Sequence, residues 1–283
     1  MRRLIVNGDD FGLTAGVNRA LLELHRAGAL RSVTLMARAA ATEEALQLAC
    51  ATPSLGVGCH LVLVDGTPVL PAREIPSLTD PRTGRFLPTP GAFLARLLTG
   101  WVGSEEIEAE AAAQMASLHS RGVDLTHIDT HKHLHIFPAV LRAVLRAART
   151  AGVRAIRNPF ESAWSRVASS GTSWLRWSQF AALRVLEPAF LRTVAEAGLV
   201  TTGGAVGILA AGSLDATMLR KLLAAMPDGT WELVTHPGYC DRDLEQAHTR
   251  LLASRERELL ALMEIGQVVG VETISFADLP LWP

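Results

Sequence analysis

Four of the nine histidines in this chain fall in one short stretch, THIDTHKHLH, which runs from Thr126 to His135. Together with one aspartate they occupy every second position: His127, Asp129, His131, His133 and His135. In an extended segment all five side chains would leave the same face. Imidazole and carboxylate groups at this density are typical of a metal centre or an acid–base site. The stretch therefore predicts a functional site.

The length of a strand limits how many of these histidines can bind one ion. At about 3.3 Å per residue, the two end histidines would lie about 26 Å apart, whereas metal–ligand bonds are only about 2 Å long. A single site built from all four histidines is therefore excluded in an extended segment. We expect one or two of them to join ligands from other strands.

Other residues capable of chemistry follow separate short apolar runs along the chain. They are Asp9 and Asp10 after Leu4–Val6, His60 within residues 55–63, Arg157 after residues 153–156, and His236 after residues 231–235. If these runs are parallel strands, their carboxyl ends converge on one face of the sheet. The predicted site therefore draws on several strands.

Histidine and carboxylate ligands with an open position are typical of hydrolytic metal sites, where a divalent ion polarises a carbonyl group and acidifies water. The paired aspartates fit as one ligand and one general base. Asp10 would be compensated by the ion, which leaves Asp9 free to take a proton. These residue types predict a metal-dependent hydrolase.

The elements that would position these residues alternate between short apolar runs and amphipathic segments. The spacing predicts helices over residues 14–28, 42–51, 104–122, 138–152, 214–226 and 241–265, with strands between them. Alternating strands and helices favour a parallel sheet, and about seven such units favour a barrel. We therefore predict an α/β fold with one domain over residues 1–283, a complete or partial TIM-like (β/α) barrel.

Two segments interrupt this alternation. Residues 65–90 are rich in Pro, Gly and Thr and predict a long surface loop that shapes a substrate mouth or merely decorates the barrel. Residues 160–198 predict a helical excursion that contains Trp164, Trp174 and Trp177. Its aromatic rings would pack on the barrel, or form a lid or platform for the apolar part of a substrate.

The overall composition narrows the classes of protein. The formal net charge of −1 gives no electrostatic reason to expect nucleic acid or an anionic membrane as partner. The three cysteines form no CxxC pair, the N-terminus resembles no signal peptide, and no run is long and apolar enough to span a bilayer. We expect a soluble cytoplasmic protein, and the sequence leaves a homodimer open.

Five motifs in this order carry a resemblance to a known family. They are NxDDFG at Asn7–Gly12, GxHL at Gly58–Leu61, HxDxHxHxH at His127–His135, RNP at Arg157–Pro159 and HPG at His236–Gly238. Together they resemble the YdjC-like carbohydrate deacetylases, which include chitooligosaccharide deacetylases and hopanoid-biosynthesis-associated deacetylases. The segment from Gly58 to Leu87 is more similar to the hopanoid-associated branch. No motif of the family is identified in residues 160–226.

This resemblance implies a (β/α) barrel of the glycoside hydrolase and deacetylase type, one divalent metal ion and removal of an acetyl group from an N-acetylated amino sugar. The matching metal ligands are Asp10, His60 and His131; Asp9 matches the base and His236 the acid. Around them, supporting the ligands or contacting substrate, would lie His127, Asp129, His133, His135 and Arg157. The implied substrate is an N-acetylglucosaminyl oligosaccharide or a lipid-linked sugar, and the ion is magnesium or zinc.

Two other functions fit parts of the pattern. Barrels with paired histidines also host metal-dependent phosphoesterases and amidohydrolases, although such sites usually place HxH near the first strand, which here carries two aspartates. A metal-binding protein without catalysis would use the histidine cluster but would leave Asp9 and His236 without a role.

Overall fold

A computed structural model describes residues 1–167, 178, 181–247, 249–265 and 270–280 of the chain. Seven strands lie within these residues: β1 (Arg2–Phe11), β2 (Ser32–Leu35), β3 (Gly56–Leu61), β4 (Leu125–Thr130), β5 (Ala205–Val206), β6 (Gly229–Thr235) and β7 (Glu272–Ile274). The helices of this part are α1 (Ala15–Arg26), α2 (Thr42–Cys50), α3 (Pro90–Leu98), α4 (Ser104–His119), α5 (Pro138–Thr150), α6 (Glu187–Glu196), α7 (Ala216–Ala225), α8 (Arg242–Gln246) and α9 (Ala253–Ile265).

The strands form one parallel sheet in the order β4-β3-β2-β1-β6-β5, with β7 paired to the first half of β1. Single parallel bridges continue the sheet beyond both edges, joining Ile128 to Ile156, Ala155 to Val200, and Glu161 to β5. The sheet is therefore curled, and helices cover its outer face. The prediction of an α/β fold with a partial TIM-like barrel is confirmed.

Local sequence explains the helices that flank the site strands. Thr14 begins α1 because its side chain accepts a hydrogen bond from the Val17 amide, and Gly28 follows the helix with a φ of 76°. Pro138 begins α5, whose buried stripe includes Val140, Leu141 and Val144. Helix α1 packs on β1, and α5 packs on the turn His131–Ile136 that follows β4, so both lie beside the strand ends that carry the polar residues.

The amino-terminal end of the barrel is closed by apolar side chains. Ile5, Ala155, Val200, Ile274, Phe276 and Leu279 form one buried cluster there. The ring of His127 stacks on Phe276, with ring centroids 3.8 Å apart. No helix in the described part of the chain is long and apolar enough to cross a membrane.

The histidine stretch does not stay extended as predicted. Strand β4 ends at Thr130, and residues His131–Ile136 form a short 3-10 helical turn instead. Within it, Lys132 and His133 adopt left-handed backbone conformations with φ of 59° and 55°. The expected single face and the 26 Å span therefore do not apply, because the chain turns directly after β4.

Other differences concern the outer elements. The predicted helix over residues 241–265 is two helices, α8 and α9, because Ala247 leaves α8 in an extended conformation. Helix α3 was not predicted. Of the tryptophan-rich excursion, residues 168–177 and 179–180 lie outside the described residues, Trp174 and Trp177 among them. Trp164 packs on the barrel, edge-to-face with Trp231 at 5.4 Å between centroids.

Candidate active site

Three side chains from separate strands meet at the carboxyl end of the barrel. Asp10 lies near the end of β1, His60 lies in β3, and His131 follows β4 directly. His60 Nε2 lies 3.4 Å from Asp10 Oδ1 and 3.2 Å from His131 Nδ1, and His131 Nδ1 lies 3.5 Å from Asp10 Oδ1. Asp10 Oδ1 is buried without a hydrogen-bond donor. These three atoms fit one divalent cation, because ligands about 2 Å from the same ion lie at such separations.

A buried carboxylate orients the histidine of this group. His60 Nδ1 lies 2.8 Å from Asp129 Oδ1, which directs Nε2 towards Asp10 and His131. A hydrogen bond at Nδ1 of this kind fixes the orientation of a histidine ring that binds metal through Nε2. Burial alone would lower the pKa of His60, but Asp129 and Asp10 raise it to about 10. In the ion-free protein the ring is therefore protonated, and binding of a cation at Nε2 displaces that proton.

The backbone around the cleft is unusually strained. In the described part of the chain, the non-glycine residues with positive φ are Asp10, Asp65, Lys132 and His133. Three of the four line the cleft described below. Each left-handed residue costs roughly 1–2 kcal/mol, and such strain is concentrated at functional sites in proteins. The sharp turns at Asp10 and Lys132 direct the ligands Asp10 and His131 to the same point.

Beneath the metal group, Arg157 occupies the interior of the barrel. It is fully buried and donates from Nη1 and Nη2 to Asp9 at 2.8 and 2.6 Å, and from Nε to Glu232 at 2.8 Å. It also pairs with Asp129. Asp9, Asp129 and His60 form a second group that could hold a cation, but the Arg157 guanidinium already binds both carboxylates. The geometry therefore supports one ion rather than two.

Asp9, which the sequence predicts to be a general base outside the metal ligands, is bound by several donors. Burial would raise the pKa of its carboxyl group, but the charge and hydrogen bonds of Arg157 hold that pKa well below its usual range. Asn7 and Thr34 also donate to Asp9 Oδ1, at 3.0 and 3.3 Å. Asp9 is thus an ionised carboxylate in a fixed orientation.

His236 follows β6 and faces Asp9. Its Nε2 lies 3.7 Å from Asp9 Oδ2, and its Nδ1 is buried without a hydrogen-bond partner. Burial lowers the pKa of His236 to about 4, although the charges of Asp9 and Asp10 oppose that shift. At neutral pH the ring is uncharged, so it accepts a proton before it can donate one.

The remaining histidines of the stretch have different surroundings. His135 is buried; its Nδ1 lies 2.7 Å from Thr130 Oγ1 and its Nε2 lies 3.2 Å from the Arg157 carbonyl oxygen. It therefore supports the turn and the backbone of Arg157. His133 is half-buried, with Nδ1 unpartnered. His127 lies at the closed end of the barrel against Phe276, away from the cleft.

An open cleft of about 920 Å³ begins at Asp10 and His131. Its walls come from the loop after β2, the loop after β3 and the start of α2, and α8 closes its far side. The polar and charged lining residues include Arg38, Glu43, Glu44, Asp65, Arg85, Lys132 and Asp243. The volume lies towards the upper end of the about 300–1,000 Å³ that is usual for ligand pockets.

Helix α4 fixes the wall formed by the loop after β3. Glu110 accepts hydrogen bonds from the Val69 and Leu70 amides at 2.8 and 3.0 Å, and Gln114 bonds both backbone groups of Val62. One turn earlier, Glu106 accepts from the Ser77 amide at 2.8 Å. The predicted loop therefore does shape the mouth, and its backbone is held in place.

Sequence reasoning missed several residues that support the site: Thr34, Glu110, Gln114, Glu232, Arg255 and Glu258. Some signal was present, since Glu106, Glu110 and Gln114 recur every fourth residue on one face of α4. Arg255 and Glu258, three residues apart in α9, form a similar signal. Their partners, however, lie far away in the sequence.

Comparisons with known proteins agree with this architecture. The sequence model of the YdjC-like protein family matches residues 3–265. A carbohydrate deacetylase of Halalkalibacterium halodurans is 31% identical over 277 residues, which cover 96% of this chain and 100% of that protein. A carbohydrate deacetylase of Brevibacillus brevis is 44% identical over 146 residues, or 52% of this chain and 55% of that protein. Neither name specifies the hopanoid-associated branch.

A solved structure from Enterococcus faecalis V583, provisionally described as a cellobiose-phosphate cleavage protein, has the same fold. It superposes with a TM-score of 0.78 at 24% identity and covers 97% of both chains. At this identity the similarity establishes the fold alone.

Proposed function

Because this chain belongs to the family of YdjC-like proteins, we propose that it is a metal-dependent hydrolase that removes the N-acetyl group from an N-acetylated amino sugar or its conjugate. The observation that carries this proposal is the meeting of Asp10, His60 and His131 at one end of an open cleft, directly beside Asp9 and His236. The carbohydrate deacetylase of Halalkalibacterium halodurans, related over its full length, supports the same reaction.

We assign the cation to Asp10 Oδ1, His60 Nε2 and His131 Nδ1. When bound, the ion supplies Lewis acidity that polarises an amide carbonyl and acidifies water. Two imidazole nitrogens and one carboxylate oxygen are donors that suit zinc better than magnesium, which prefers oxygen ligands and retained water. Removing the ion with a chelator and reloading with each metal separately measures this preference.

Asp9 and His236 carry the proton transfers. The oxygen of water attacks the acetamide carbonyl carbon while Asp9, held by Arg157, accepts the proton that the water loses. His236 Nε2, 3.7 Å from Asp9 Oδ2, receives this proton from Asp9 and donates it to the departing nitrogen as the C–N bond breaks. The second proton of the water passes from the acetic acid to the amine, so the products are acetate and the protonated amine of the sugar, and atoms and charge balance.

The size of the cleft bears on the substrate. At about 920 Å³ it holds a ligand larger than one sugar ring, so we propose an N-acetylglucosaminyl oligosaccharide or a conjugate, including a lipid-linked sugar. Of the predicted surrounding residues, Asp129, His135 and Arg157 support the ligands and the base. His133 is the remaining candidate for substrate contact, and His127 supports the closed end of the barrel.

The test is release of acetate from N-acetylated oligosaccharides and glycoconjugates, followed by mass spectrometry for loss of an acetyl group. We expect turnover with the reloaded ion and none after chelation. Aryl phosphates and cyclic amides serve as competing substrates. Phosphate release without acetate release would contradict the proposal, as would tight metal binding without any turnover.

Three further predictions from the sequence stay proposals. Pairing of β7 with β1 joins the two ends of the described chain and supports a single domain over residues 1–283. From the sequence we also propose a cytoplasmic location, and a homodimer stays open. Size-exclusion chromatography with light scattering measures the oligomeric state.

A further inference from the structure

Helix α9 contacts two parts of the site at once, through side chains that do not line the cleft. We propose that Arg255 and Glu258 are positioning residues, in which Arg255 sets the orientation of Asp10 for the metal ion and Glu258 sets the position of His236. The inference rests on the proposed function only for the role of His236. The role of Arg255 concerns metal binding alone.

Arg255 is 1% exposed, and its guanidinium lies directly behind the carboxylate of Asp10. Its Nη2 donates to Asp10 Oδ2 at 2.5 Å, while Nε donates to the Leu251 carbonyl oxygen at 3.1 Å. With Oδ2 engaged, only Oδ1 of Asp10 faces His60 and His131. Arg255 therefore selects the oxygen that meets the ion and opposes rotation of the carboxylate.

Glu258, also 1% exposed, holds the loop that carries His236. Its Oε2 accepts a hydrogen bond from the His236 amide at 2.7 Å. Two more amides of this loop, each two residues further on, also donate to α9. The Gly238 amide donates to the Arg255 carbonyl oxygen at 3.4 Å, and the Cys240 amide donates to Glu256 Oε1 at 2.9 Å. Three alternate backbone amides are thus bound to the first two turns of one helix.

The spacing of these side chains explains why one helix can contact both Asp10 and the loop that carries His236. Residues three apart in an α-helix lie one above the other on the same face, so Arg255 and Glu258 both point at the barrel. Asp10 and His236 end neighbouring strands, β1 and β6, which pair along most of their length. A rigid helix that contacts both strand ends fixes the distance between the metal group and the proposed acid.

The test of Arg255 reads metal binding and needs no turnover. We expect Arg255→Met to weaken binding of Zn²⁺ by about 10–100-fold, the usual effect of losing a group that orients a ligand. The absorption spectrum of the Co²⁺-substituted protein should also change. Arg255→Lys should bind Zn²⁺ with an affinity between those of the wild type and the Met variant. If the Met variant does not fold, the affinity of the Lys variant tests the role of Arg255.

The matched control is Arg257→Met, which removes an exposed arginine from the same helix. It should leave both affinity and the cobalt spectrum unchanged. Wild-type affinity and spectrum in both Arg255→Lys and Arg255→Met would overturn the role of Arg255.

The test of Glu258 separates side-chain length from charge. Glu258 Oε1 also accepts from the Gly212 amide, at 3.4 Å. Glu258→Gln gives up that longer bond but keeps an oxygen for the His236 amide and should retain kcat, whereas Glu258→Asp is too short and should lower kcat at least tenfold. Neither variant should change KM or Zn²⁺ affinity. NMR resonances of the His236 amide and ring, recorded on the ion-free protein, should move in the Asp variant and stay in the Gln variant.

The outcomes distinguish this inference from the proposed function. Loss of kcat in the Gln variant with retention in the Asp variant would overturn the positioning role of Glu258, as would unmoved His236 resonances in the Asp variant. If the wild-type protein binds Zn²⁺ but deacetylates no sugar, the proposed function fails. The metal-affinity and NMR results still decide the roles of Arg255 and Glu258.

Discussion

Asp9 and Asp10 are consecutive residues of β1, but Asp9 lies in the interior of the barrel and Asp10 lies at its mouth, where their partners differ. Asp9 points into the interior, where Arg157 binds it along with Asp129 and Glu232. Asp10 points to the mouth, where Arg255 binds only one of its oxygens and the other has no hydrogen-bond donor. Both carboxylates are buried and both are ionised, yet only one has an atom left over for a ligand.

The difference shows what distinguishes a carboxylate whose two oxygens are both bound by arginine from one that keeps an oxygen for a ligand. A buried charge is tolerated when it is paired and hydrogen-bonded, and Arg157 meets that condition for both oxygens of Asp9. At the mouth, Arg255 meets it for only one oxygen of Asp10, because Oδ1 faces two imidazoles that are themselves potential ligands. An unpaired carboxylate oxygen beside two imidazole nitrogens thus marks the site that a cation would complete.

Asp10→Asn should produce the largest effect on function. The amide is a poor metal ligand and carries no charge to form an ion pair with Arg255, so we expect loss of the ion and a fall in kcat/KM of roughly 10⁴-fold, equivalent to about 5 kcal/mol. Metal content after dialysis and acetate release measure this. Asp124→Asn, an exposed change, is the control. Retention of the ion would show that the mouth is not the metal site.

Arg157→Met should have the largest effect on stability, because it leaves the buried carboxyl groups of Asp9, Asp129 and Glu232 without the cation that they share. We expect a loss of about 3–5 kcal/mol in the free energy of unfolding, measured with urea. Arg142→Met, on the exposed face of α5, should change it little. A loss below about 1 kcal/mol would mean that the interior network does not stabilise the barrel.

Asp9→Asn should separate the two regions most clearly. The metal ligands remain, so the ion should bind with its usual stoichiometry, while loss of the proposed base should lower kcat by about 10²–10⁴-fold. Metal content and steady-state kinetics measured on the same sample check this. If activity survives, the assignment of Asp9 as base is wrong.

The last effect appears only as a change with pH, and it concerns the protonation of Glu232 in the interior. Burial raises the pKa of Glu232 from 4.5 to about 8, even though Arg157 opposes that shift. The folded state therefore binds the proton more tightly than the unfolded state. This contribution to stability is complete below pH 4.5 and is lost as the pH rises through about 8, with a slope of at most about 1.4 kcal/mol per pH unit.

Glu232→Gln should remove this pH dependence, since the amide resembles the protonated carboxyl group. Urea unfolding followed between about pH 5 and pH 9 should show a decline in the wild type and a flatter profile in the variant. Parallel profiles would indicate that Glu232 is ionised throughout this range.

Sequence alone could predict the strands and the residues at their carboxyl ends. Asp10 and His236 were identified because each follows an apolar run, and His60 because it lies within one; parallel strands bring their carboxyl ends together. His131 was assigned as a ligand by resemblance, and the structure places it beside the other two. These predictions were possible because a strand can be recognised from a short run of neighbouring apolar residues.

The rest depends on contacts between residues distant in sequence. Arg255 lies 245 positions from Asp10, and no periodicity links them. The left-handed turn at Lys132 and His133 could not be read from an alternating pattern that suggested a longer strand. Besides its local hydrogen bonds with Thr130, His135 contacts the Arg157 carbonyl oxygen 22 positions away, and the alternating pattern does not reveal that contact.

The way in which α4 holds the cleft wall has a consequence for substrate range. Glu106, Glu110 and Gln114 bind the wall chiefly through its backbone amides and carbonyls. Side chains of the wall that line the cleft, such as Thr67 and Arg85, make none of these hydrogen bonds to α4. They can therefore be exchanged, in evolution or by engineering, to suit another sugar while the catalytic groups remain untouched.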